Sequence, residues 1–284
     1  MADTNRKVAQ SNMLPLPTNV ADEIWTKVQQ EAVLPRLSGA MPQKFGKTDI
    51  MVLSGTPKAE IVGESEAKGI SEFEVTTKQV TPIKLQTTVR TSNEFLWGDD
   101  DYRLGVFDTI KDAVAKSLVD ALDAIGIHKI NPKTGTVSTK INTGICDAET
   151  VVEVTPGSED LAIDAAYKAV IANGYAPKAI AADITFESEI ATARDKQGYF
   201  KYPNGTNGYL GMNGVSGTIK GTSNINAIVG DFSAFKWGVQ KDIPLEVIQY
   251  GDPDGQGDLK NRNEVAIRAE VVYGVGIMDL DAFC

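Results

Sequence analysis

The sequence predicts an α+β protein organised around one long helix, and three observations carry that prediction. Apolar residues recur at threes and fours from Leu104 to Ile125, the signature of an amphipathic helix. Period-two alternation marks strands at 49–53, 73–80, 83–90, 243–248 and 263–271. Between the two strand-rich regions, 161–194 reads as helix, strand and helix.

The elements follow in chain order. Residues 1–20 carry Pro15 and Pro17 and no sustained period, which predicts an extended arm. Ile24, Trp25, Val28 and Ala32 predict a short amphipathic helix over 22–33 that stops before Pro35. The strands at 49–53 and 73–80 are separated by 54–71, too long a connection for a compact hairpin. A further strand follows at 83–90. Asp99, Asp100 and Asp101 place negative charge where the long helix begins, and Gly126 is expected to stop it. At 1.5 Å per residue, a helix over 102–125 is a strut of about 35 Å. Asn131-Pro132-Lys133-Thr134-Gly135 reads as a turn between short strands. Ser158-Glu159-Asp160 is expected to cap a helix over 161–172 that ends at Asn173-Gly174. A buried strand over 179–183 and a helix over 185–194 come next. The glycine-dense stretch 198–221 reads as a flexible surface loop, and strands close the chain.

Composition narrows the function. A chain of 284 residues with 42% hydrophobic and 23% charged residues can bury a sizeable core. No run approaches the roughly 18 apolar residues of a membrane helix, and no apolar segment follows Arg6-Lys7 to make a signal peptide, so the expected location is the cytoplasm. Cys146 and Cys284 are far apart in sequence and are expected to be reduced. With 28 basic and 38 acidic residues the net charge is −10, a sign that repels duplex nucleic acid.

Catalytic logic finds little to build on. His128 is the sole histidine and is expected to be a surface or turn residue. Gly208, Gly211, Gly214 and Gly217 repeat at threes but match neither a dinucleotide nor a phosphate loop. Asp252, Asp254 and Gly257 fit the first, third and sixth positions of a calcium loop. The twelfth position is Asn263, however, with Glu264 one place late and strands on both sides. No catalytic, cofactor or metal site is expected.

Short stretches in a fixed order carry a resemblance. They run from Ile61-Val62-Gly63-Glu64, through 73–93 and Arg90-Thr91-Ser92-Asn93-Glu94-Phe95-Leu96, to Arg194-Asp195-Lys196-Gln197-Gly198-Tyr199-Phe200. Gly230-Asp231-Phe232-Ser233, Phe235-Lys236-Trp237-Gly238 and Asp281-Ala282-Phe283 complete the series. Together they resemble tailed-phage major capsid proteins with the Hong Kong 97-type fold. The resemblance implies an arm over 1–20, a helical region over 21–44 and an extended β-loop over 45–90. It further implies a spine helix with peripheral strands over 91–150, an axial domain over 151–240, and strands returning to the peripheral domain over 241–284.

The implied function is to assemble as pentamers and hexamers into an icosahedral shell around double-stranded DNA, which it would enclose without specific binding. Lys58, Glu64, Glu66 and Lys68 would contact a neighbouring copy, and a crosslink, where one forms, would join Lys58 or Lys68 to Asn261 or Asn263. The short N-terminal stretch implies a separate scaffolding protein or none; a portal and decoration proteins are further partners, and no membrane is involved. An encapsulin-type nanocompartment, which shares the fold and encloses a cargo enzyme, stays open as the alternative.

Overall fold

The computed structural model describes residues 32–54, 59–64, 69–70, 74–94, 100–221, 223–241 and 245–284. The arm over 1–20, and all but the last two residues of the helix expected at 22–33, lie outside them. Fourteen elements position the rest: α1 (Val33–Leu37), β1 (Thr48–Ser54), β2 (Glu74–Ser92), α2 (Asp100–His128), β3 (Ile130–Asn131), β4 (Thr136–Val137), α3 (Glu159–Ala172), β5 (Ala179–Asp183), α4 (Ile184–Thr192), β6 (Asn213–Gly217), β7 (Ala227–Gly230), β8 (Phe235–Lys241), β9 (Leu245–Ile248) and β10 (Glu264–Ile277).

An antiparallel sheet in the order β1-β2-β10-β8, with β9 also on β10, forms one wall. The strands expected at 73–80 and 83–90 are a single strand of 19 residues. Pro82 does not break it, because β2 changes partners there. It pairs with β1 over Glu74–Val80 and with β10 over Thr81–Ser92, so the proline sits inside only one ladder. Segment 38–46 covers the outer edge of β8. Met41 N–H donates to the Trp237 carbonyl at 2.8 Å, and Trp237 Nε1 donates to the Ser38 carbonyl at 2.8 Å.

The helix α2 is the expected strut and is longer than expected, 29 residues or about 43 Å. Ile110, Val114, Leu118, Leu122 and Ile125 form its buried stripe, packed with Ile83, Ile267, Val271, Phe235 and Trp237. Each such side chain contributes about 1.5–3 kcal/mol by leaving water. Gly126 does not stop the helix. Its missing side chain admits a neighbour instead, since a Cβ there would lie 2.5 Å from Leu34 Cδ1 and 3.0 Å from Phe235 Cζ. The helix continues to His128, which is buried rather than exposed and bonded through Nε2 to the Ile219 carbonyl at 2.7 Å.

Against α2 sits α1, which begins at Val33 after an extended Ala32 and includes Pro35. Proline is tolerated in a first turn, where its absent N–H would find no helical partner. The two other first-turn donors, the N–H groups of Val33 and Leu34, bond to the buried Asp123 carboxylate at 2.9 and 3.1 Å.

A second sheet, β6-β5-β7, is parallel on one side of β5 and antiparallel on the other. All five residues of β5 are buried. Alternation explains this: Ala179 and Ala181 face the main core, while Ile180 and Ala182 face a second core with Ile163, Phe186, Ile190 and Met212. The glycine stretch read as a flexible loop therefore contains a strand, β6. Gly214 lets the backbone at Asn207 approach, and Gly217 makes room for Val33. The cap of α4 is Asp183, whose carboxylate accepts the Thr185 N–H at 3.0 Å, and α4 ends at Thr192, two residues early. Ser158 precedes α3 as expected but makes no side-chain cap.

Candidate assembly interface

Where β1 pairs with β2, no third strand among the described residues supports them. The ribbon joins Thr48–Ser54 to Val80–Glu74, and β10 joins β2 only beyond it. Seven residues at about 3.4 Å each make a projection of roughly 24 Å. A two-stranded ribbon by itself is marginal in water, and it gains stability from a third surface. This ribbon also shows apolar side chains to solvent, with Met51 81% and Val75 50% exposed. Beyond it, Ile61 and Ile70 are almost wholly exposed. Exposed apolar side chains on an ordered ribbon fit a contact with another molecule.

Of the residues expected to reach a neighbour, Glu64 is described and exposed, in a turn beyond the ribbon. Lys58, Glu66 and Lys68 lie outside the described residues. The structure adds a contact that residue patterns did not point to: Glu60 Oε2 accepts the Gly69 N–H at 3.0 Å and draws the two sides of the long connection together. Asn261 and Asn263 are exposed near the far end of β10. Asn263 is left-handed (φ 55), and its carbonyl accepts the Asn93 N–H at 2.8 Å.

That far end holds the most charged cluster of the described residues. Arg90, on β2, donates to Glu264 at 2.8 Å, to Asp252 at 3.0 Å, to Asp254 at 2.8 Å and to the Gly257 carbonyl at 2.8 Å. The Asp252 carboxylate also accepts the Gly257 N–H at 3.0 Å, and Arg268 donates to the Pro253 carbonyl at 2.6 Å. The guanidinium thus occupies the place that a cation would take in the loop at 251–260. Hydrogen bonds from Arg90 hold the Asp254 carboxyl below its ordinary range, and the carboxylates hold Arg90 further above its own. Sequence position alone did not reveal the pairing, because 162 residues separate Arg90 from Asp252.

The chemistry elsewhere is sparse. Burial pushes the His128 imidazole below its ordinary pKa and the Cys146 and Cys284 thiols above theirs. Both thiols are free, at different places along one cleft of about 470 Å³ beside α3 and β7. Among the described residues, no three His, Cys, Asp or Glu side chains gather to hold a metal.

Known proteins agree in one direction. The phage capsid family matches residues 13–284. A solved structure from Mycobacterium phage Ogopogo is 42% identical, with a TM-score of 0.79 over 89% of this chain and 90% of that one. One from Gordonia phage Cozz is 31% identical, with a TM-score of 0.75 over 89% and 85%. The capsid of a native GTA particle shares the fold at 14% identity, with a TM-score of 0.59 over 91% and 88%. No curated protein matches in sequence. The unsupported ribbon, the sparse chemistry and these likenesses converge: the chain belongs to the phage capsid family, as the major capsid protein of a tailed phage.

Proposed function

We propose that copies of this chain close, as pentamers and hexamers, into an icosahedral shell around double-stranded DNA, using a Hong Kong 97-type fold. In this reading 1–20 is an arm, 21–44 a helical region and 45–90 the extended loop. The spine and peripheral strands occupy 91–150, the axial domain 151–240, and 241–284 returns to the peripheral domain. The observation that carries the proposal is the β1–β2 ribbon, which leaves the sheet with Met51 and Val75 uncovered. A subunit of a thin wall has several neighbours, and one compact patch cannot reach them all. The ribbon and the connection beyond it, with Lys58, Glu64, Glu66 and Lys68, would lie on the next copy.

The role is structural rather than enzymatic, and the shell would assemble in the host cytoplasm with a separate scaffolding protein, a portal and decoration proteins. The sequence likeness is to phage chains, which favours a genome over an enzyme as the content. Deleting residues 56–69 tests the reading. The expected product is a folded, helix-containing subunit that no longer forms particles in negative-stain micrographs, because a polar, glycine-containing segment of this composition adds little to a core. Normal shells from the deletion would overturn it.

A further inference from the structure

Two surfaces around α3 complement each other. The first is a tight hairpin over 193–201. The Lys201 N–H donates to the Ala193 carbonyl, the Asp195 N–H to the Tyr199 carbonyl, and Arg194 lies 4.1 Å over the Phe200 ring. This ordered knob presents Tyr199 at 72% exposure and Phe200 at 50%, among Arg194, Lys196 and Lys201.

The second surface is the extended segment 149–154. Glu149, Val151 and Glu153 face solvent while Thr150, Val152 and Val154 are half-buried, the alternation of a strand. Val151 is 77% exposed. Among the described residues the backbone groups of 149–154 take no backbone partner, while the Cys284 thiol is hydrogen-bonded to the backbone of Val152. Its charge is one-sided: no lysine or arginine occurs from Ile141 to Tyr167, where six residues are acidic. Asp147 is bridged to Lys129 and Asp160 to Lys201, whereas Glu149 and Glu153 point outward.

Within one subunit Thr150 and the hairpin are anchored at different points of α3. The hairpin is tied to the start of α3 by Lys201 and Asp160 at 2.8 Å. Thr150 is tied to the end of α3 by Asn173 at 3.1 Å. Asp160 and Asn173 stand at the two ends of α3, about 20 Å apart along its axis. Two distinct patches that each face a neighbour make a head-to-tail contact, the type that closes rings. Resting on the shell reading above, we infer that the 193–201 hairpin of each subunit docks on the 149–154 segment of the next copy around a capsomer. Tyr199 and Phe200 meet Val151 there, and Lys196 meets Glu149 and Glu153.

Charge exchange in the full-length chain tests the contact. Lys196→Glu alone, or Glu149→Lys with Glu153→Lys, should lower the yield of shells by about tenfold or more, since like charges then oppose each other. The variant carrying all three changes restores opposite signs and should return to within about threefold of the wild type. Tyr199→Ser should lower the yield without moving the thermal unfolding curve, because the ring is exposed. In wild-type particles a zero-length carbodiimide crosslink should join Lys196 of one chain to Glu149 or Glu153 of another, a readout that needs no variant. Wild-type yields from either charge reversal or from Tyr199→Ser would overturn the docking. So would a triple variant no better than its parents, or the absence of that crosslink. Should the deletion of 56–69 abolish shells while the reversals do not, the shell reading stands and this contact alone falls. A wild-type chain that forms no particle removes both.

Discussion

Asp123 shows what one carboxylate does in this molecule. It is buried in α2, where it holds the first turn of α1 by accepting the Val33 and Leu34 N–H groups. Burial pushes its pKa up to about 6, and the two backbone donors, which pull it down, only partly offset that. The sign of the linkage follows. A carboxyl with a folded pKa above its unfolded value binds a proton on folding, so its unfavourable contribution is complete above pH 6 and is relieved as the pH falls toward 4. The rise of about two pKa units from the ordinary 3.8 corresponds to about 3 kcal/mol. Asp123→Asn should remove this pH dependence. Unfolding midpoints measured from pH 7 to pH 4 should show the wild type gaining relative to the variant on acidification, and parallel curves would refute it. Arg90 works the other way, as a half-buried cation shared by three carboxylates. Neither role was legible in the sequence, because each joins residues far apart in the chain whose only sign is an unremarkable Asp or Arg in a periodic run.

Among the elements, the strut was legible because helical period survives without tertiary help, and Val114, Leu118 and Leu122 are buried as that period requires. The strand at 179–183, the turn at 131–135 and the C-terminal strands were legible for the same local reason. Glycines and prolines misled, since their meaning depends on what packs beside them. Gly126 gives a clear test. An interior helical Gly→Ala change ordinarily stabilises by about 1 kcal/mol. Here the new methyl would meet Leu34 and Phe235, so Gly126→Ala should instead lower the melting temperature. A thermal scan that shows a rise would mean that α1 shifts without cost. The same packing keeps α1 seated, since Leu34 is itself fully buried.

For the whole molecule, the excess of 38 acidic over 28 basic residues sets how it treats a genome. Affinity for duplex grows as lysines and arginines displace counterions from phosphates. Arg90 and Arg268 are committed to the 251–260 loop. Free subunits should bind duplex DNA weakly, without sequence preference and with marked salt sensitivity, in a gel-shift titration at physiological salt. Tight or sequence-selective binding would point to a basic face and a different role. The long β2 strand bears on a different demand. It is gripped by β10 through twelve residue pairs, and beyond them carries the ribbon that leaves the sheet. A pull delivered along the ribbon runs parallel to the strand, so it strains all twelve pairs together instead of peeling them one after another. A wall stretched from within by a tightly packed genome would therefore meet this ladder in its stiffest direction.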